Sequence, residues 1–275
     1  MELDALFKQP QALPAVPRIV HELIDSFNNE DVSVERIVRT IETDPVLSAR
    51  LLRLSNSAYY HVSRSIGTVG EAVTMLGFVT VRTLVISSGL TGGYNSLPGM
   101  DLPRFWRYSV QAAGAARWLA KASQHNSDLC FTVALMHGIG QLIMHAGMPE
   151  QMLQLDKVAD PLSPQRLDME RSAFGYSFAQ VSAELVRQWR FPVDFSEAIH
   201  HFPAPLAHGQ CRAVACVLHL AAWRARGAGQ GMDLDALQAD LPIDVCMALG
   251  LNPATLLDNM PPMEELCEGL EALVS

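Results

Sequence analysis

The amino-acid sequence predicts an all-α protein built as two helical lobes. Three observations carry this. Apolar residues recur at helical spacing along nearly the whole chain. No segment offers an evident partner for a β-strand. One stretch, TGGYNSLPGMDLP at 91–103, is dense enough in glycine, proline and asparagine to break a helix and separate two lobes. The chain has 275 residues, 49% hydrophobic and 18% charged. That is enough apolar content to bury a sizeable core and too little charge for a disordered chain.

The elements follow in order. Ile19, Val20, Leu23, Ile24 and Phe27 share one helical face. Ile37, Val38 and Ile41 repeat the pattern behind a start signal at Ser33. Asp44-Pro45 supplies an N-cap and a proline at the first helical position, opening a helix that carries Leu51, Leu52 and Leu54. Val69, Ala72, Val73 and Leu76 fit the next helix, closed by Gly77. Residues 78–90 are rich in β-branched side chains, yet without a partner strand they read as helix. Residues 104–123 form a long helix whose Ala-Ala-Gly-Ala-Ala run at 112–116 admits a close neighbour. Residues 130–145 read as one helix buried on all sides. Ser163-Pro164 is expected to cap a helix toward Ala173. Residues 178–189 are amphipathic, Pro192 starts a helix toward His201, and 210–226 form a further long helix. Glycine and proline breaks leave short helical pieces in the tail, at Ala236-Leu237 and at 264–273. The layout is thus an N-terminal lobe at 1–90, a linker at 91–103, a second helical core at 104–226 and an acidic helical tail at 227–275.

Charge is unevenly placed. After Arg226 there is no Lys or Arg, but there are nine acids, from Asp233 to Glu271. The formal charge of −9 therefore belongs to the C-terminal end, and residues 1–226 carry twenty charges of each sign. A neutral body with an acidic tail is a poor match for nucleic-acid phosphates and gives no pull toward anionic lipid. Neither nucleic acid nor membrane is expected as a partner. Residues 129–149 lack any Asp, Glu, Lys or Arg and are long enough to cross a bilayer. They include His137, Gln141 and His145 and three glycines, which suit a buried core helix better than lipid. Five cysteines, an odd number with no C-x-x-C pair, fit reduced and mostly buried thiols. The N-terminus shows neither the basic nor the apolar region of a signal peptide, so a cytoplasmic protein is expected. No phosphate-binding glycine loop and no Asp-rich Ca²⁺ loop occurs, and no cofactor is expected.

Two series of motifs carry a family resemblance. DPVLSARLLRLSNSAYY (44–60), followed by IGTVGEAVTMLGFVTVRTLVIS (66–87), resembles the N-terminal half of an HDOD domain in its Asp-Pro, Leu-Leu-Arg, Asn-Ser-Ala and later Leu-Gly. FWRYSVQAAGAARWLA (105–120), ALMHGIGQLIM (134–144) and FGYSFAQVSAELVRQWRFPVDFSEAIHHFPAP (174–205) resemble the HD-superfamily helical core that HDOD proteins retain. Together these cover about residues 10–225.

The resemblance implies a site. The HD superfamily is mostly metal-dependent phosphohydrolases, whose His and Asp side chains converge on divalent ions that activate a water. Matched residue by residue, the first ligand His becomes Tyr108. The His-Asp doublet becomes His137-Gly138, and the Lys that often follows becomes Gln141. The His after the Phe-Gly turn becomes Phe178, the later His-His pair becomes Phe202-Pro203, and the late Asp becomes Ala222. Only His137 survives as a donor of the expected kind. A phenol, two phenyl rings, a glycine, a proline and an alanine do not hold Mg²⁺, Mn²⁺ or Fe. Neither a metal nor catalytic residues are therefore expected, and the pocket around Tyr108, His137, Gly138, Phe178, Phe202 and Ala222 is a relic expected to have collapsed.

His200, His201 and His219, with His137, would make a His-rich Zn²⁺ or Ni²⁺ site only if they converged. Adjacent histidines on a helix point about 100° apart, so His200 and His201 read as near-surface and His219 as a hydrogen-bonded core residue. Cys211 and Cys216, five apart on a presumed helix, read as off-face. Ser55-Asn56-Ser57 resembles a turn or cap set rather than a nucleophile. Arg50 and Arg53 beside it, with Asn56, Tyr59 and Tyr60, are expected to form a regulatory contact surface. HDOD domains are bacterial, often linked to receiver, sensor or cyclic-dinucleotide output domains, and proposed to act through protein contacts. The resemblance thus implies a non-catalytic signalling module with a protein partner or small ligand. A metal-dependent phosphohydrolase with a rebuilt site is the alternative. A helix-turn-helix DNA reader around Leu76-Gly77 is a second, which the eight basic and ten acidic residues of 1–90 do not favour.

Overall fold

Every regular element is a helix, and the order of helices follows from the caps and periodicities above. The computed structural model describes residues 2–9, 11–13, 33–57, 65–94, 96–209 and 211–270, and no strand occurs among them. The chain divides into two compact units, residues 14–95 with 267–275, and residues 1–13 with 96–266.

In the first of these units the described helices are α2 (Val34–Glu42), α3 (Pro45–Ser55) and α4 (Val69–Gly93), after α1 (Leu3–Phe7), which belongs to the other unit. The Ser33 side chain accepts from Arg36 N, and Asp44 accepts from both Val46 N and Leu47 N, with Pro45 in the first turn. These caps satisfy N–H groups that a helix start leaves unpaired. Ile37, Ile41, Leu47, Leu51, Leu54, Val73 and Leu84 are buried where α2, α3 and α4 pack together. Gly77 has φ 75° and ψ 162°, so α4 is two helices meeting at a left-handed residue that only glycine adopts without strain. The β-branched run after it is helical. So are Thr91–Gly93, where the sequence suggested a break. Glycine costs least in a last turn, where chain continuation no longer depends on it. The helix predicted over 19–27 lies outside the described residues.

The larger unit is built around α5 (Leu102–Ala122). Ala112, Ala113, Ala115 and Ala116 are fully buried, and this small-residue stretch lets α6 (Ser127–Met136) and α12 (Ala213–Gly229) pack on it. The apolar run Ser127–Gly147, long enough to cross a membrane, lies almost wholly inside the core. It is not one helix. It breaks at His137-Gly138 into α6 and α7 (Ile139–Gly147). At the break the His137 Nδ1 donates to the Ala134 carbonyl. Then follow α8 (Pro149–Asp156), α9 (Arg166–Phe174), α10 (Phe178–Gln188) and α11 (Val193–His201). Ser163 does not cap α9. Gln165 stands at that position, and the Ser163 hydroxyl is buried without a hydrogen-bond partner among the described residues.

Gly140 fixes the approach of α7 to α10. A Cβ there would overlap the Phe178 carbonyl oxygen and press on Ser182 N at 2.9 Å. The bare backbone instead donates to Ser182 Oγ at 2.7 Å. Gly140→Ala is therefore expected to lower stability by about 2–3 kcal/mol through overpacking, read as a lower urea midpoint with an unchanged slope.

Residues 227–266 of the acidic tail belong to this unit. Its pieces are α13 (Leu234–Ala239), α14 (Ile243–Ala248), α15 (Leu256–Asn259) and α16 (Met263–Leu266). Helix α14 contacts α12, and α16 contacts α5. Leu237, Val245, Cys246, Leu256, Leu257, Met263 and Leu266 are buried, and Trp223 Nε1 donates to Asp240 at 3.1 Å. The apolar anchors point inward and the acids outward, which is how so charged a segment stays folded on the body.

Candidate functional site

Four of the relic-pocket residues line one cavity. Tyr108 comes from α5, Gly138 from the α6–α7 break, Phe178 from the first position of α10 and Phe202 from the end of α11. The cavity holds about 240 Å³, so the expected collapse is incomplete. His137 stands behind it, wholly buried and bonded to Tyr108. Ala222 is buried on α12, without lining the cavity.

The His137 ring has no free nitrogen. Nδ1 faces the Ala134 carbonyl, which accepts, so Nδ1 carries the proton. Nε2 then accepts from the Tyr108 hydroxyl at 3.1 Å. Burial pushes the His137 imidazole down to about 4, against the pull of the Ala134 carbonyl, and the Arg226 charge adds to the fall. Burial likewise pushes the Tyr108 phenol up, and Arg226 opposes it. The pair is therefore a neutral imidazole and a neutral phenol. Phe202 stacks edge-on to His137 with ring centroids 5.4 Å apart, and Phe178 lies against Phe202. At Gly138 a Cβ would meet the Phe105 ring at 3.2 Å, so the space of the missing Asp is filled by an aromatic edge.

This donor set does not fit a divalent metal. Its imidazole is engaged at both nitrogens, its phenol is protonated, and its other members bear no ligand atom. The histidines weighed as a replacement do not converge. His219 Nδ1 donates to the Phe202 carbonyl at 2.8 Å, His200 is exposed, and His201 faces Glu197 at 3.4 Å. No group of three or more His, Cys, Asp or Glu arranged for a metal exists among the described residues. Cys211 and Cys216 do meet, with Sγ atoms 3.5 Å apart. Cys211 precedes α12 rather than lying on it, so a helical five-residue offset does not describe the pair.

Polar residues complete the cavity wall, and of these Arg226 is the one the sequence does not single out for chemistry. Gln141, Ser163, His219 and Arg226 all line it. His219, Ala222 and Arg226 are three and then four residues apart on α12 and share a face, so helical spacing alone places Arg226 at the pocket. Ser163 sits on a loop that the sequence does not mark. That loop, residues 157–165, is pinned from three sides. Gln141 Nε2 donates to the Pro161 carbonyl, Arg104 pairs with Asp160 at 2.7 Å, and Arg166 donates to the Ala159 carbonyl at 2.7 Å.

Arg166 also anchors a buried ion network. Its Nε donates to Glu170 at 2.8 Å and its Nη1 to Asp156 at 2.7 Å. Asp156 accepts from His145 Nε2 at 3.0 Å, while Glu170 accepts from Phe178 N at 2.6 Å. Burial pushes the Glu170 carboxyl up, opposed by Arg166 and by the Phe178 N–H. The network thus ties α7, α8 and α9 to the N-terminus of α10, where Phe178 enters the cavity wall.

The other predicted surface lies on α3. Arg53 is exposed and Arg50 partly so, and burial together with the Arg53 charge holds the Arg50 guanidinium below its ordinary value. Asn56 is a clamp. Its Nδ2 donates to the Leu52 and Ile66 carbonyls, and its Oδ1 accepts from Ile66 N at 2.8 Å. Tyr59 and Tyr60 lie outside the described residues.

Comparison with known proteins places these features. The HDOD domain model matches residues 13–205. A crystal structure from Shewanella amazonensis SB2B, named "Putative phosphohydrolase", superposes with a TM-score of 0.76 at 29% identity and covers 98% of both chains. One from Marinobacter aquaeolei VT8, named "Putative signal transduction protein", has a TM-score of 0.69 at 23% identity, covering 99% of this chain and 60% of that one. An uncharacterized protein of Treponema pallidum (strain Nichols) is 26% identical over 195 residues, 69% of this chain. The chain spans 37% of that relative's length. The match runs from before the Asn56 clamp, through the His137 core, to the end of α11, and the chain belongs to the HDOD domain family.

Proposed function

We propose that this HDOD chain is a non-catalytic regulatory module, working through protein contacts or a small ligand in a bacterial signal-transduction pathway. One observation carries the reading. The only imidazole left at the family's metal-ligand positions is His137, and both its nitrogens are engaged, by Ala134 and Tyr108. Metal-activated hydrolysis needs an open ligand set and a place for the activated water. Neither Phe178, Phe202 nor Ala222 supplies one. A fold shared with a protein named for signal transduction agrees with a regulatory role. The contact surface we assign is Arg50, Arg53, Asn56, Tyr59 and Tyr60, and the partner is a protein rather than nucleic acid or membrane. Four of the five thiols are buried and none is in a disulfide among the described residues, in keeping with a cytoplasmic site of action.

The test is metal content by mass spectrometry after reloading with Mn²⁺, Fe²⁺, Zn²⁺ and Mg²⁺, alongside turnover of a chromogenic phosphodiester. The expected result is well below one metal per chain and no turnover above buffer. One metal per chain with turnover, both lost in His137→Ala, would overturn the reading in favour of a phosphohydrolase.

A further inference from the structure

We propose that the cavity in front of His137 is a binding site for a small hydroxylated oxyanion, a hydroxycarboxylate or a phosphomonoester, held by Arg226, Gln141 and Ser163. The proposal rests on the regulatory reading only for the site's role as an input.

The cation comes first. Arg226 lines the cavity beside Tyr108 and His219, and its charge acts on Tyr108, His137 and His219 alike. It bonds to Tyr108, and no carboxylate among the described residues lines the cavity. A guanidinium in a pocket without a counter-charge selects an oxyanion, which its fork binds through two parallel N–H donors.

The second observation is independent. Gln141 is 2% exposed and lines the same cavity. Its Nε2 donates to the Pro161 carbonyl, while its Oε1 has no partner among the described residues. Ser163 Oγ, on the opposite loop, is likewise buried and unpartnered. Buried polar atoms left unmet cost about 1–3 kcal/mol each, so two in one cavity point to groups that complete them.

The donor pattern narrows the ligand. His219 donates through Nδ1 to Phe202, so its Nε2 presents a lone pair when neutral. Gln141 Oε1 is also an acceptor. Two acceptors beside one cation require a ligand that carries O–H or N–H groups as well as negative charge. The walls opposite are Phe105, Phe178 and Phe202, which suit a short carbon skeleton. The volume of about 240 Å³ has space for on the order of ten waters, the bulk of a small metabolite and not of a dinucleotide.

The experiment titrates the full chain by calorimetry and thermal shift with four probes: malate, succinate, glycerol 3-phosphate and inorganic phosphate. Malate and succinate differ by one hydroxyl, as do the phosphoester and phosphate by their polyol arm. The expected result is saturable binding of malate or glycerol 3-phosphate, at least about fivefold tighter than its unhydroxylated counterpart. Arg226→Gln is expected to weaken every probe about tenfold or more, one lost charge-assisted contact. Gln141→Leu is expected to erase the hydroxyl preference while leaving the weaker binding. Arg226→Lys, which keeps the charge without the fork, separates a lost contact from a lost fold. No binding of any probe to the folded protein at 10 mM, about the weakest affinity worth calling a site, overturns the proposal. So does binding that Arg226→Gln leaves unchanged. Release of inorganic phosphate from glycerol 3-phosphate would instead overturn the non-hydrolytic reading and leave the site standing.

Discussion

Arg166→Ala is expected to cost about 3–5 kcal/mol of folding stability, enough to unfold a marginal protein at 37 °C. The side chain is wholly buried, as is Glu170, and Asp156 is 15% exposed. Removing the guanidinium leaves two carboxylates facing each other with little solvent between them, which is far worse than never having placed charges there. The loss also frees the Ala159 carbonyl, and with it one of the three ties on the 157–165 loop. Arg166→Lys is expected to fall between, since an ammonium keeps the charge but cannot reach Glu170, Asp156 and Ala159 together. Replacing both Arg166 by Met and Glu170 by Gln is expected to recover part of the loss. Urea unfolding of the four proteins checks this. A cost below about 1 kcal/mol for Arg166→Ala, typical of exposed pairs, would remove the network from the account of the fold.

Acid is expected to destabilise the protein in a window set by His137. The folded imidazole is held down to about 4 by burial, whereas in the unfolded chain it titrates near 6.5. Between those values the unfolded chain binds a proton that the folded one does not. Stability therefore falls as pH drops from about 6.5 to about 4, and this group adds no further loss below that. The total is about 3 kcal/mol. His219 is shifted in the same direction by burial and deepens the slope. His137→Phe is expected to flatten the dependence over this window, while costing a constant offset for the hydroxyl and carbonyl it leaves unpaired. Unfolding free energies measured at pH 7.5, 6, 5 and 4.5 decide it. An unchanged slope in His137→Phe would mean that the ring titrates in the folded chain as it does in the unfolded one.

Most of the fold was legible because it depends on local chemistry. Ser33, Asp44 and Pro45 act within one turn of themselves, and the periodicity of residues 104–123 reports directly which face is buried. The misreadings are cases that apolar periodicity does not record. The break between α6 and α7 falls at His137-Gly138, where the His137 ring donates to the Ala134 carbonyl, a contact no apolar pattern records. Ser163 reads as a cap until its loop is drawn away by Gln141, Arg104 and Arg166. Of the charged residues Arg166, Asp168, Glu170 and Arg171 on α9, Arg166 and Glu170 are wholly buried, which charge and spacing alone do not reveal. At the site the lost ligands were visible one by one. What replaced them was not, because Arg226 acquires its meaning only when α12 turns it toward Gln141 and Ser163. Open space in the pocket was also invisible, since aromatic residues at the old ligand positions suggested filling.

The folded tail changes how the molecule meets its surroundings. Seven acids between Asp233 and Glu265 are exposed on the larger unit, on a segment with no base after Arg226. At physiological salt their field dies within about 8 Å. It does not draw partners from afar. It acts at touching distance, as a filter on the direction of collisions. Encounters that bring another acidic surface, a polyphosphate or the same tail of a second copy against this side are rejected, and encounters elsewhere proceed against a body whose charges cancel. Adding salt would make the molecule less particular about which way round it is met.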